Sequence, residues 1–242
     1  MDVSWEEAGW ERLAPGVGRR RMPVWDATVG LVAGDGGRAL LIDTGATLRE
    51  GAELRAQAQR LLGPGRRVTH IALTHPHFDH VLGAAAFSGT EVFGAVGIDD
   101  VLRRDREALR DDAVRHGVER GAAAEAVDVL VAPHHTVCGE WTLDLGGRQV
   151  LLANVGPGHS GHDLAVLVPG SPEVVFCGDL VEESGTPQAG PDALPSRWPA
   201  ALDRLLALGG ENAVYVPGHG AVVDAAYVRA QRDALAARFP VS

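Results

Sequence analysis

The chain has 242 residues, 45% of them hydrophobic and 22% charged, the balance of an ordinary globular protein long enough to bury a core without disulfide staples. Its 22 cationic residues, all arginine, face 32 acidic ones, and the resulting net charge of −10 excludes the basic face that tracks nucleic-acid phosphates. Two cysteines make no disulfide framework, and no run approaches the roughly 18–20 apolar residues of a membrane span. The opening Met1-Asp2-Val3-Ser4-Trp5 does not read as a signal peptide, so the expectation is a cytoplasmic protein with a small-molecule partner, neither nucleic acid nor membrane.

In chain order, Thr28–Ala33, the turn Gly34-Asp35-Gly36-Gly37 and Arg38–Asp43 read as strand, turn and strand. Glu50–Leu62 carries Leu54, Ala58, Leu61 and Leu62 at helical spacing and stops at Gly63-Pro64-Gly65. Val68–Leu73 is the next strand, and Val81–Ala86 begins a helix. Asp99–His116 predicts one charged amphipathic helix, followed by a second over Glu119–Val127. Val137–Leu145 and Arg148–Ala153 form a hairpin around Gly146-Gly147, and Leu164–Val168 and Val174–Phe176 are buried-type strands. Leu180–Trp198 lacks periodicity and reads as a long loop, while Pro199–Leu208 and Ala225–Phe239 are helices around the strand Val214–Val216. Strands arrive both in hairpins and between helices, and no linker divides the chain. That predicts one α/β domain over residues 1–242, with helices on the outer faces of its sheets.

Ten histidines stand out. His75-Pro76-His77-Phe78-Asp79-His80 places four metal-ligand types within six positions, directly after the apolar strand Val68–Leu73. In extended chain His75 and His77 point to the same side. Asp79 and His80 fall at a helix start and face another way, so one loop can feed two metal centres. Imidazole and carboxylate suit zinc, and also iron or manganese. Three later segments share an apolar strand followed by glycine and a ligand type: Val155-Gly156-Pro157-Gly158-His159, Val175-Phe176-Cys177-Gly178-Asp179, and Val214-Tyr215-Val216-Pro217-Gly218-His219.

In this order the motifs resemble those of the metallo-β-lactamase-fold superfamily, from Leu41-Ile42-Asp43-Thr44-Gly45 to Pro217-Gly218-His219-Gly220. The resemblance implies an αβ/βα four-layer sandwich with a dinuclear, zinc-type site at one edge. It assigns His75, His77 and His159 to one metal, Asp79, His80 and His219 to the other, and Asp179 to both. It further implies a hydroxide between two Zn2+ ions as nucleophile, with Asp79 orienting it and taking its proton. Asp43 resembles the family's aspartate that braces the ligand loop, and His162 is read either in the same supporting role or as a structural residue. Met22 and Trp25 lie where relatives carry a loop over the metals, which makes them candidates for substrate contact, with an ordinary edge loop as the equal alternative. Cys177 is read as an inert buried thiol; the alternative is a thiolate ligand, since a regular strand would put it on the face of Asp179, two residues on. His134, His135, His70 and His116 are read as loop, packing or solvated residues.

Within that resemblance, large nuclease insertions and the C-terminal helical domain of glyoxalase II-type thioesterases find no room in the sequence, and the tyrosine of lactonase relatives has no counterpart between Leu180 and Trp198. The expected activity is hydrolysis of an ester, thioester, lactone or phosphoester of a small molecule. Two rivals stay open. One is a mononuclear-iron oxidoreductase like the persulfide dioxygenases, using His75, His159 and Asp179; the other is a non-catalytic metal-binding protein.

Overall fold

The computed structural model describes residues 4–240. Two sheets face each other. The first has seven strands in chain order: β1 (Glu11–Ala14), β2 (Val17–Arg21), β3 (Thr28–Ala33), β4 (Arg38–Ile42), β5 (Arg67–Ala72), β6 (Glu91–Ala95) and β7 (His135–Val137). Pairing is antiparallel from β1 to β4 and parallel from β4 to β7. The second sheet holds β8 (Glu140–Asp144), β9 (Gln149–Asn154), β10 (Leu164–Val168), β11 (Val174–Glu182) and β12 (Val214–His219), ordered β12-β11-β10-β9-β8 with only β11–β12 parallel.

Period-2 alternation explains the layering. Val32, Leu40 and Ile42 point inward and meet Val166, Phe176 and Val216 between the sheets. Their chain neighbours Leu31 and Leu41 point outward and pack on α1 (Leu48–Leu62) through Leu54 and Ala58. On the second sheet Val175 and Tyr215 face the helices α6 (Trp198–Gly209) and α7 (Ala225–Arg238) through Leu202, Leu205 and Val228. The four-layer αβ/βα sandwich therefore follows from strands whose two faces are both apolar. Among the described residues no helix is long and apolar enough to cross a membrane.

Local chemistry sets the element ends. Thr47 caps α1 by accepting the Glu50 amide, and Gly63 closes it at φ 80°. The β8–β9 turn is held by the Asp144 carboxylate, which accepts the amides of Gly146 and Gly147.

Several sequence expectations are corrected. The strands β1, β2 and β6 lack clear punctuation in the sequence, and Arg19 lies buried in β2 with its guanidinium on Glu11 and the Gly220 carbonyl. The single helix predicted over Asp99–His116 is two, α3 (Ile98–Arg104) and α4 (Arg106–Arg115), because Asp105 leaves helical geometry at φ −105°, ψ 27°. Ahead of α5 (Arg120–Asp128), Glu119 caps the chain. Val137 ends β7 in the first sheet, so the chain crosses between sheets before β8 and is not one hairpin arm. The helix expected at Val81 is the single turn α2 (Phe78–Val81), which already contains Asp79 and His80.

Candidate metal centre

Every histidine and aspartate of the ordered motifs arrives at one end of the two sheets, where β5, β11 and β12 finish. His75, His77, His159 and Asp179 form one group of converging donor atoms; Asp79, His80 and His219 form a second, each group's atoms lying within 4.8 Å of one another. Asp179 sits between them. Its Oδ1 is 3.2 Å from His80 Nε2, and its Oδ2 is 3.2 Å from His219 Nε2, 3.5 Å from His159 Nε2 and 3.6 Å from His75 Nε2.

The outward nitrogens are all engaged, and this fixes which nitrogen of each ring faces inward. His80 Nδ1 meets Asp43 Oδ2 at 2.8 Å, and His75 Nδ1 meets Thr74 Oγ1 at 2.9 Å. Thr74 Oγ1 in turn donates to Asp43 Oδ2 at 2.8 Å, and its amide donates to Asp43 Oδ1 at 2.8 Å. His219 Nδ1 donates to the Trp25 carbonyl at 2.7 Å and His159 Nδ1 to the Gln188 carbonyl at 3.1 Å. His77 is reversed: its Nε2 meets Asp192 Oδ2 at 3.1 Å, leaving Nδ1 inward, 3.0 Å from His159 Nε2. Outer hydrogen bonds of this kind hold a ligand ring in its tautomer and orientation.

The residues fit a metal. His75 Nε2, His80 Nε2 and Asp179 Oδ1 are buried without a hydrogen-bond partner among the described residues, a costly state for polar atoms unless something else engages them. A tetrahedral ion with ligands at ~2.0–2.1 Å needs them ~3.3 Å from one another. The separations of 3.0, 3.5 and 3.6 Å in the first group, and of 3.4 and 3.6 Å from Asp79 Oδ2 to His219 and His80 in the second, bracket that edge length. Five imidazoles and two carboxylates are donors of the zinc, iron and manganese class.

The charges do not divide by group: burial opposes the charged form of His77, yet Asp192 outweighs it and raises that ring above its ordinary value. Burial holds His75 well below its ordinary value and His159 down at about 4, so both rings are neutral. Burial also opposes the charged forms of His80 and His219, yet Asp179 and Asp79 outweigh it, raising His80 well above its ordinary value and His219 to about 9. For Asp179 burial pushes up, and His80, His219 and His75 together hold the carboxyl well below the usual range.

How β11 aims Asp179 is a matter of one extra residue. Phe176 pairs with Val216, but Gly178 pairs with Pro217, so two residues of β11 oppose one step of β12. Gly178 takes φ 54°, a conformation that side chains rarely adopt. The bulge breaks the alternation, leaving Cys177 buried among the α6 and α7 contacts while Asp179 turns to the cluster. Cys177 is buried, as the inert-thiol reading has it, and the alternative of a face shared with Asp179 fails. Burial pushes its thiol up, and its Sγ lies 3.3 Å from the Val175 carbonyl.

The remaining candidates sort clearly. Asp43, in left-handed backbone at φ 60°, braces both His80 and the Thr74 backbone. His162, expected in a similar role, bonds the Val96 carbonyl through Nδ1 at 2.8 Å and fastens its loop to the end of β6, not to a ligand. Met22, expected over the substrate, is a core side chain only 6% exposed. Trp25 lays its ring edge-on to Phe78 and donates Nε1 to the His116 carbonyl, while its own carbonyl holds His219. His134 Nδ1 accepts the Val92 amide, and His135 pairs with Glu91 and stacks on Phe93 in the first sheet. The long loop is shorter than expected, since β11 runs on to Glu182 and α6 starts at Trp198. Motif spacing carries no mark of Thr74, Gln188 and Asp192, because each acts on a partner distant in sequence or through its backbone; Asp163 acts locally, on Gly158 and Ser160, and lies just outside the motif.

Asp163 builds the His159 turn, accepting the Gly158 amide at 2.8 Å and the Ser160 amide and hydroxyl at 3.1 and 2.6 Å. Burial pushes this carboxyl up to about 7 despite those donors. In the unfolded chain it ionises near ~3.9. Its contribution to stability is therefore greatest at low pH, falls as pH rises from ~4 to ~7 by up to roughly 4 kcal/mol, and is level above. Denaturation of metal-free protein should show wild type losing stability relative to Asp163→Asn across that window. A flat or rising difference would mean that Asp163 is ionised in the fold.

With this geometry in place, comparison with known proteins is informative. The family model described as the metallo-beta-lactamase superfamily matches residues 22–219. Three curated relatives are each 28% identical: metallo-beta-lactamase domain-containing protein 1 of Xenopus laevis over 199 residues, the atrochrysone carboxyl ACP thioesterase of Aspergillus fumigatus over 192, and the hydroxyacylglutathione hydrolase of Cupriavidus metallidurans over 186. These matches take in 81%, 79% and 75% of this chain but 71%, 37% and 59% of the relatives. The crystal structure of the metallo-beta-lactamase FIM-1 from Pseudomonas aeruginosa, in its mono-zinc form, superimposes with a TM-score of 0.70 at 18% identity, covering 96% of both chains. That likeness shows the shared fold.

Proposed function

The chain belongs to the metallo-β-lactamase superfamily, and from that premise we propose that it is a metal-dependent hydrolase holding two zinc ions and cleaving an ester, thioester, lactone or phosphoester of a small molecule. The observation that carries this reading is the convergence of seven donors whose inward atoms face one another while every outward imidazole nitrogen is engaged. His75, His77 and His159 would hold the first ion, Asp79, His80 and His219 the second, and Asp179 would serve both. Metal bound there would supply a water acidified towards pH 7 and a Lewis acid for the oxygen of the scissile group. Asp79, 8% exposed and within 3.6 Å of His80 and His219, would orient the attacking water and receive its proton. Two of the relatives carry names of hydrolases, a thioesterase and a hydroxyacylglutathione hydrolase, which supports acyl substrates.

Purified protein loaded with zinc is expected to hydrolyse an activated thioester or ester, and to lose that activity on chelation and regain it with metal. Metal analysis of protein purified without added metal separates the rivals: two zinc ions support this reading, and one iron supports the oxidoreductase. Full hydrolysis after exhaustive chelation would sink the proposal.

A further inference from the structure

The five imidazoles are not held by one scaffold. In the second group, His80 is fixed by Asp43 at the end of β4, and His219 by the Trp25 carbonyl in the β2–β3 connection. In the first group, His77 and His159 both lean on the stretch 188–194, through Asp192 and the Gln188 carbonyl. That segment is docked where it matters. The Leu194 amide donates to the Gly158 carbonyl at 2.9 Å, two residues from Asp192 and one from His159. His77 is also the one ring turned the other way, presenting Nδ1 inward, and its only outward partner among the described residues is Asp192 Oδ2 at 3.1 Å.

We infer that Asp192 is a positioning residue for the first metal position, fixing His77 in the Nε2–H tautomer so that Nδ1 carries the lone pair. The stretch 188–194 is then a working part of that position, apart from Glu183, whose amide donates to the carbonyl of His219 in the second. The inference rests on the metallo-hydrolase reading. A neutral imidazole has one proton for two nitrogens, and a carboxylate on Nε2 places it there and strengthens Nδ1 as a ligand. Loss of such an outer partner typically weakens metal binding 10–100-fold. The Asp192 side chain is 44% exposed, so the low end applies.

The test is competition of metal-free protein with a chromophoric chelator for zinc, and the visible spectrum of the cobalt-loaded form, in wild type, Asp192→Ala and Asp192→Asn. The same three are compared in a His219→Ala background, where only the first position is intact. Asp192→Ala should lower the affinity of the first position about tenfold in both backgrounds and shift its cobalt spectrum. Asp192→Asn keeps an oxygen that accepts from Nε2–H and should retain most of the affinity. Because the side chain is exposed, all forms should melt alike without metal. Unchanged affinity in Asp192→Ala, or equal losses in both Asp192 variants, overturns the inference while leaving the hydrolase reading in place. Wild-type protein that binds neither zinc nor cobalt overturns that reading, and this one with it.

Discussion

Asp179→Asn is expected to fold normally, to fall from about two bound ions towards one, and to lose at least roughly a hundredfold in kcat, about 2.7 kcal/mol of barrier. The substitution preserves size, so packing around the β11 bulge has no reason to change. What changes is charge. Among the described residues Asp179 is the one carboxylate with contacts to both groups, its Oδ1 lying 3.2 Å from His80 and its Oδ2 3.5 Å from His159. His75, His77 and His159 remain enough for a tetrahedral ion with water. The second group keeps Asp79, His80 and His219, which would face the first ion's charge without the carboxylate between them. That position should empty first. Excess metal should restore only part of the rate, since an amide offers one weak oxygen donor where a carboxylate offered two. Metal analysis, kcat and circular dichroism on the same preparation decide the matter: two tightly bound ions with near-normal turnover would remove Asp179 from its assigned place.

Gly218→Ala should be nearly as damaging although residue 218 touches no ion. A Cβ built there falls 1.8 Å from Asp179 Oδ1 and 2.8 Å from the Asp179 amide nitrogen and the Gly178 carbonyl carbon. The methyl must displace the carboxylate or part β12 from β11, and both neighbours on the β11 side are backbone that cannot swing away. Overpacking of this kind costs about 1–3 kcal/mol of stability. The larger loss should be functional, at least roughly a hundredfold in kcat, with metal content falling as in Asp179→Asn. Gly185→Ala, where a Cβ meets nothing within 4 Å, is the matched control and should leave both quantities unchanged. Normal metal content in Gly218→Ala would show that the carboxylate has room to move that the packing denies.

Much of this was legible in the residues themselves. Alternation in Thr28–Ala33 and Arg38–Ile42, apolar on both faces, already requires a layer on each side of the sheet. The stop at Gly63 is local chemistry and so ends α1 where expected, while the start at Leu48, capped by Thr47, lies two residues before the expected Glu50. Ligand identity and order were visible because metals accept few side-chain types, and because His75 and His77 need only extended backbone to point together. Tertiary structure decided the rest wherever the deciding contact was non-local. Periodicity put Cys177 on the face of Asp179; pairing with β12 forced a bulge at Gly178 and separated them. Motif spacing offered His162 as support and missed Asp192, because a carboxylate on a loop without periodicity carries no local mark of its partner 115 positions away. Residue chemistry names the atoms able to hold a metal, whereas the tautomer each ring presents depends on hydrogen bonds that exist only once the two sheets have met.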